Sequence, residues 1–111
     1  MEPIFLTDWR QFVVFSIEGP HPKVLIETDT LKSVIVGLES GQQIPPHPAP
    51  TAVYHFLDGS GWMIVDEKRF PVQAGTTIVV PQGVQRGVEA KSKLSFLGTH
   101  SGEKTSEDQQ L

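Results

Sequence analysis

Apolar residues along the chain fall in short runs separated by Gly, Pro, Asp and Thr, and no three-to-four-residue period is sustained long enough for a core helix. The runs are rich in Val and Ile, which favours strands. The spacing predicts strands over Val13–Ile17, Val24–Glu27 and Ser33–Leu38. Further strands are expected over Val53–Leu57 and Trp62–Val65, and after the Asp66-Glu67-Lys68 turn over Arg69–Gln73; together these read as a β-meander. Thr76–Val80, closed by Pro81-Gln82-Gly83, and Leu94–Thr99 complete the set. Many short strands at regular spacing imply an all-β sandwich or barrel.

The exceptions to the pattern are informative. Gly41-Gln-Gln-Ile-Pro-Pro-His-Pro-Ala-Pro50 contains too many residues without a backbone donor for a central ladder, so it must form a sheet edge or an extended entry. Asp8 followed by Gln11 resembles a capping box and predicts one helical turn near Trp9–Phe12. The polar end, 101–111, buries too little to offset its ordering entropy and is expected to be a mobile tail behind a single domain spanning 1–100.

Composition narrows the chemistry. With 111 residues the chain supports one core, and the absence of cysteine removes disulfides, thiolate ligands and thiol nucleophiles together. A net charge of -4, with 9 Lys plus Arg and no basic run, gives no footprint for nucleic acid or for an anionic membrane. The first residues lack the positive start and apolar stretch of a signal peptide, and no run reaches membrane-spanning length, so a soluble cytoplasmic protein is expected. No Gly-rich phosphate loop, nucleophile elbow or H-E-x-x-H pair is present.

Two stretches carry a recognisable constellation. Gly75-Thr-Thr-Ile-Val-Val-Pro81-Gln-Gly83-Val-Gln-Arg86 resembles the second cupin motif, G-x5-P-x-G-x2-H-x3-N, at Gly75, Pro81 and Gly83. Gly41 to His47, running on to Gly59, is similar to the first, G-x5-H-x-H-x3-4-E-x6-G. The resemblance implies a cupin jelly roll, a double-stranded β-helix barrel with a small-molecule site inside. It also implies a homodimer, for which sharing of the Val13–Ile17 strand is one route.

In that family two histidines and a carboxylate of the first motif and a histidine of the second hold a metal. The corresponding positions here read His47, Ala49, approximately Ala52, and Arg86. One ligand cannot hold a catalytic ion, and a fixed charge about 5 Å from a divalent ion costs roughly 7 kcal/mol at an effective dielectric of ~20. No cofactor is therefore favoured. The expected role is a binding module, or a metal-free enzyme, that takes an anionic, carboxylate-like ligand. Arg86 is then the bidentate fork and His47 the donor or general base.

Alternatives stay open. A register shift before Gly59 would turn His55 inward to join His47 and His100 in a divalent-metal site of an isomerase or oxygenase type. Otherwise His55 is a hydrogen-bonded core or interface residue, and His100 only ends a strand. Tyr54 and Trp62 either line the ligand cavity or fill core or interface. Arg86 could instead pair with Glu89 or Glu39, and the barrel could be a filled structural or interaction unit.

Overall fold

A computed structural model describes residues 2–102. Trp9–Gln11 form the expected single turn, of 3-10 type, capped by the Asp8 side chain accepting from the Arg10 amide. Nine strands follow: β1 His21–Glu27, β2 Leu31–Leu38, β3 Gln43–His47, β4 Ala52–Asp58, β5 Ser60–Val65, β6 Lys68–Gln73, β7 Thr77–Val80, β8 Arg86–Ala90 and β9 Leu94–Ser101.

They build two antiparallel sheets, ordered β1-β2-β9-β4-β7 and β3-β8-β5-β6, whose inner faces enclose one core. The proline-rich strand β3 lies at one edge of the smaller sheet, and β6, which contains Pro71, lies at the other. Both positions spare the ladder its missing donors. The four glycines of the two motifs, Gly41, Gly59, Gly75 and Gly83, all adopt positive φ. At Gly59 a side chain would also collide with the Lys93 carbonyl.

Several expectations are corrected. Val13–Ile17 is not a strand. The segment instead lies across the outer face of the larger sheet, where Val14 and Phe15 approach Gly37 so closely that even a methyl group there would clash. Val14 and Phe15 owe their apolar character to packing on their own sheet, with Lys93 stacked over Phe15 at 4.4 Å, whereas Ile17 is 92% exposed. The meander holds only for β5 and β6, joined through Asp66 and Glu67, both at positive φ. Strand β4 belongs to the other sheet, so the chain changes sheets at Gly59.

Strand β8 was not foreseen, because Arg86-Gly-Val-Glu-Ala breaks the apolar alternation with a buried Arg and a glycine. The last strand extends to Ser101, and Gly102 donates to the Thr30 carbonyl. The rest of the expected tail, 103–111, lies outside the described residues. Among those described, no helix is long and apolar enough to cross a membrane.

Candidate functional site at the mouth of the barrel

Antiparallel pairing fixes which side chains face inward. On the larger sheet His100 pairs with Lys32 on one side and Ala52 on the other, in register with the core rows Val34–Gly98–Tyr54 and Val36–Phe96–Phe56. On the smaller sheet Arg86 is opposite His47 and Val65, ahead of Val88 and Ala90. Each inward row therefore runs from apolar to polar toward the same end: Leu38 to Lys32, Leu94 to His100, and Ala90 to Arg86. The apolar end is filled by Leu38, Phe56, Met63, Val72, Leu94 and Phe96, all nearly inaccessible. The polar end is the mouth.

Arg86 dominates it. The side chain is 1% exposed, and every guanidinium nitrogen is engaged. Nε donates to the Val84 carbonyl at 2.8 Å. Nη1 donates to the Pro50 carbonyl and to Tyr54 Oη, each at 3.0 Å. Nη2 donates to the carbonyls of Ala49 at 3.2 Å and Pro81 at 2.9 Å. Five acceptors match the five N–H donors that a guanidinium carries. Arg86 thus ties the β3–β4 connection, β4 and the β7–β8 turn together.

This corrects the expected role of Arg86. A guanidinium whose fork is closed on its own backbone has no donor left for a bidentate grip on a ligand, and neither Glu89 nor Glu39 pairs with it. The ion pairs formed among the described residues are Arg10–Asp8, Lys32–Glu27 and Arg69–Glu89. Arg86 accordingly keeps a buried positive charge solvated by neutral oxygens. Tyr54, 1% exposed, is one of those acceptors rather than a free ligand contact. Burial raises its hydroxyl above the ordinary value, partly opposed by the charge and hydrogen bond of Arg86.

The three candidate histidines lie in separate environments. His47, half-buried at the rim, donates from Nδ1 to the Pro45 carbonyl at 3.1 Å. His100 is 5% exposed and donates from Nδ1 to the Ser101 carbonyl at 2.8 Å, while its Nε2 is buried with no hydrogen-bond partner. His55 lies on the outer face of β4, bonded through Nδ1 to Thr77 Oγ1 at 2.6 Å. The wall of the larger sheet stands between His55 and His100, so the suggested three-histidine set does not converge. Trp62 is likewise outside: it faces away from the core on β5, beneath the Arg69 guanidinium at 4.8 Å.

A hollow of about 430 Å³ exists elsewhere, between the N-terminal segment and strands β1 and β2, lined by apolar residues with Glu2 and Ser33. It brings together no group with chemistry, whereas the mouth does.

No protein-family model matches the chain, and no curated protein matches it. Solved structures do. A conserved protein of unknown function from Streptococcus pyogenes superposes with a TM-score of 0.81 at 24% identity, covering 95% of this chain and 93% of that one. An RmlC-like cupin from Desulfovibrio desulfuricans gives 0.78 at 23% identity, covering 92% and 97%. The chain has the cupin fold. KdgF from a Halomonas species, at 0.72 and 18% identity over 78% and 82%, shares it.

The residues present do not fit the four-ligand metal centre that the motif resemblance implies. Ala49 and Ala52 are buried and have no donor side chain, and the Ala49 carbonyl is already taken by Arg86. The guanidinium is anchored where the second-motif histidine would stand. Among the described residues no three His, Cys, Asp or Glu side chains gather around a common point. The positive charge at this position is that of the Arg86 guanidinium.

Lys32 is the mouth residue that the sequence did not flag. Its signal was present: it precedes Ser33–Leu38 with the same alternation as Val34, Val36 and Leu38, and so shares their inward face.

Proposed function

We propose that this cupin binds an anionic, carboxylate-like small molecule at the polar mouth of its barrel, with His47 as the direct contact and Arg86 acting through its charge. The observation that carries the reading is a buried guanidinium satisfied by neutral acceptors and paired with no carboxylate. Such a charge attracts an anion without touching it. At an effective dielectric of ~20 and a separation of about 7 Å the attraction is about 2 kcal/mol. His47 stands opposite Arg86 across the β3–β8 ladder. Its Nδ1–H is held by the Pro45 carbonyl, so contact with a carboxylate would be made by Nε2–H of the protonated ring, and any proton transfer would take place at the same atom. Binding alone, or binding with proton transfer at that atom, is what the arrangement supports.

The test compares charged ligands with their neutral isosteres. Benzoate and acetate, titrated calorimetrically, should bind at least about tenfold more tightly than benzamide and acetamide, given an attraction of ~2 kcal/mol. The preference should weaken with added salt and in His47→Ala. Equal binding of acid and amide, or no binding of any carboxylate, overturns the proposal and leaves a filled structural barrel.

A further inference from the structure

We infer that His100 is a second ligand contact at the mouth, and that the ligand therefore carries a hydrogen-bond donor next to its anionic group, as a 2-hydroxycarboxylate does. The inference rests on the anion reading above and adds the chemical class of the ligand.

The imidazole of His100 is 95% buried in the sense that 5% of the residue is exposed, and the ladders on both sides of β9 hold it on the inward face. Its Nδ1 faces the Ser101 carbonyl, which can only accept, so Nδ1 carries the proton and Nε2 carries the lone pair. That lone pair is the one buried side-chain N or O atom among the described residues with no partner. Buried polar atoms are nearly always paired, so an unpaired one on an inward face calls for a donor that the protein itself does not supply. A residue meant only for packing would fill the position without a nitrogen.

Its neighbours link the orphan atom to the charge of Arg86. Across the β4–β9 ladder His100 stands opposite Ala52, roughly 5 Å away between Cα atoms as antiparallel partners are. Ala52 is bracketed in the chain by the Pro50 carbonyl and the Tyr54 hydroxyl, both bound to Arg86 Nη1. An anion drawn toward that guanidinium would therefore meet the same end of the barrel as His100, and a hydroxyl on the adjacent carbon is the group that would supply the missing donor. Lys32, opposite His100 on the other side, is paired with Glu27 at 4.0 Å and closes the row.

Three small acids separate the possibilities. Glycolate has the carboxylate and the hydroxyl, methoxyacetate has the oxygen without the donor, and acetate has neither. Titrated into the 15N-labelled protein, glycolate should move the His100 Nε2 resonance and bind about tenfold more tightly than the other two, the value of one good hydrogen bond. In His100→Asn, whose amide keeps a donor toward Ser101 and lacks Nε2, the three should bind alike. Equal affinities in the unaltered protein with Nε2 unmoved overturn this inference while the anion reading stands. If no acid binds, both fall. Should His100→Asn not fold, the methoxyacetate comparison in the unaltered protein decides alone.

Discussion

The two ends of this barrel are built from the same strands and hold together in different ways. At the closed end Phe56 and Phe96 meet at 5.3 Å between ring centroids, and Tyr54 leans edge-on against Phe96 at 6.0 Å. Cohesion there is apolar burial, proportional to area and indifferent to direction. At the mouth one side chain, Arg86, makes five directed hydrogen bonds to three separate parts of the chain. Where a metal would gather side chains from the strands, a cation covalently attached to β8 gathers carbonyls from the loops. The lesson is that scaffold turns and ligand positions of a fold vary independently: the glycines keep their conformations while the centre they frame is rebuilt.

Removing each anchor should break the comparison if it is wrong. Arg86→Ala leaves four carbonyls and a tyrosine hydroxyl without their donor in a buried site, and the expected loss is about 5 kcal/mol, given a penalty of ~1 kcal/mol or more for each. Phe96→Ala removes apolar volume from the closed end at a cost of about 3–4 kcal/mol. Chemical unfolding ranks the two. Hydrogen exchange distinguishes them further: the first should release the amides of 48–51 and 81–85 selectively, the second should lower protection throughout. Arg86→Met as stable as the unaltered protein would mean that the mouth, too, is held by packing.

How much of this was legible in the sequence follows the same division. The jelly roll could be read because strand periodicity, edge prolines and turn glycines are local, and each leaves its mark within a few residues of Gly41, Pro45, Gly75 or Gly83. The inward position of Arg86 could be read from its distance to Gly83. What it touches could not, because its partners are backbone carbonyls of Ala49, Pro50, Pro81 and Val84, and a carbonyl has no residue type to betray it. The same blindness hid β8 and misassigned Val13–Ile17, an apolar segment whose partner is the outer face of a sheet formed far along the chain. His55 was a candidate only through a shift of register and Trp62 through its aromatic ring, and the strand parity observed places both outside.

Tyr54 sharpens the boundary between the two ends, since its ring belongs to the core and its hydroxyl to the Arg86 cage. Tyr54→Phe removes one hydrogen bond to a charged donor and should cost about 1.5–2 kcal/mol, less than either anchor. The pH dependence has a defined sign. Burial raises the folded hydroxyl above its ordinary value of 10.0, so above that pH the unfolded chain releases the proton first and binds fewer protons than the folded one. Stability supplied by the neutral phenol is therefore complete below pH 10.0 and is lost as pH rises from there toward the folded value. The chain has 1 tyrosine, so tyrosinate absorbance reads this residue alone. Ionisation of the folded protein at or below the ordinary value would show the Arg86 charge outweighing desolvation.

The smallest effect is expected from an exposed stacked arginine, which tests whether directed bonds matter because they are directed or because they are buried. Arg69 lies over Trp62 at 4.8 Å and pairs with Glu89 at 2.9 Å. That ion pair is as short as the bonds of Arg86, but it is open to water, with side-chain exposures of 47% and 35%. Water screens the charge and replaces any bond that breaks, so Glu89→Gln should cost less than about 1 kcal/mol, and the difference should vanish near ~1 M salt. A loss comparable to that of Arg86→Ala would place the source of strength in geometry. A negligible loss places it in burial, where an unmade bond has no substitute, and that is the property that makes the unpaired nitrogen of His100 at the mouth informative.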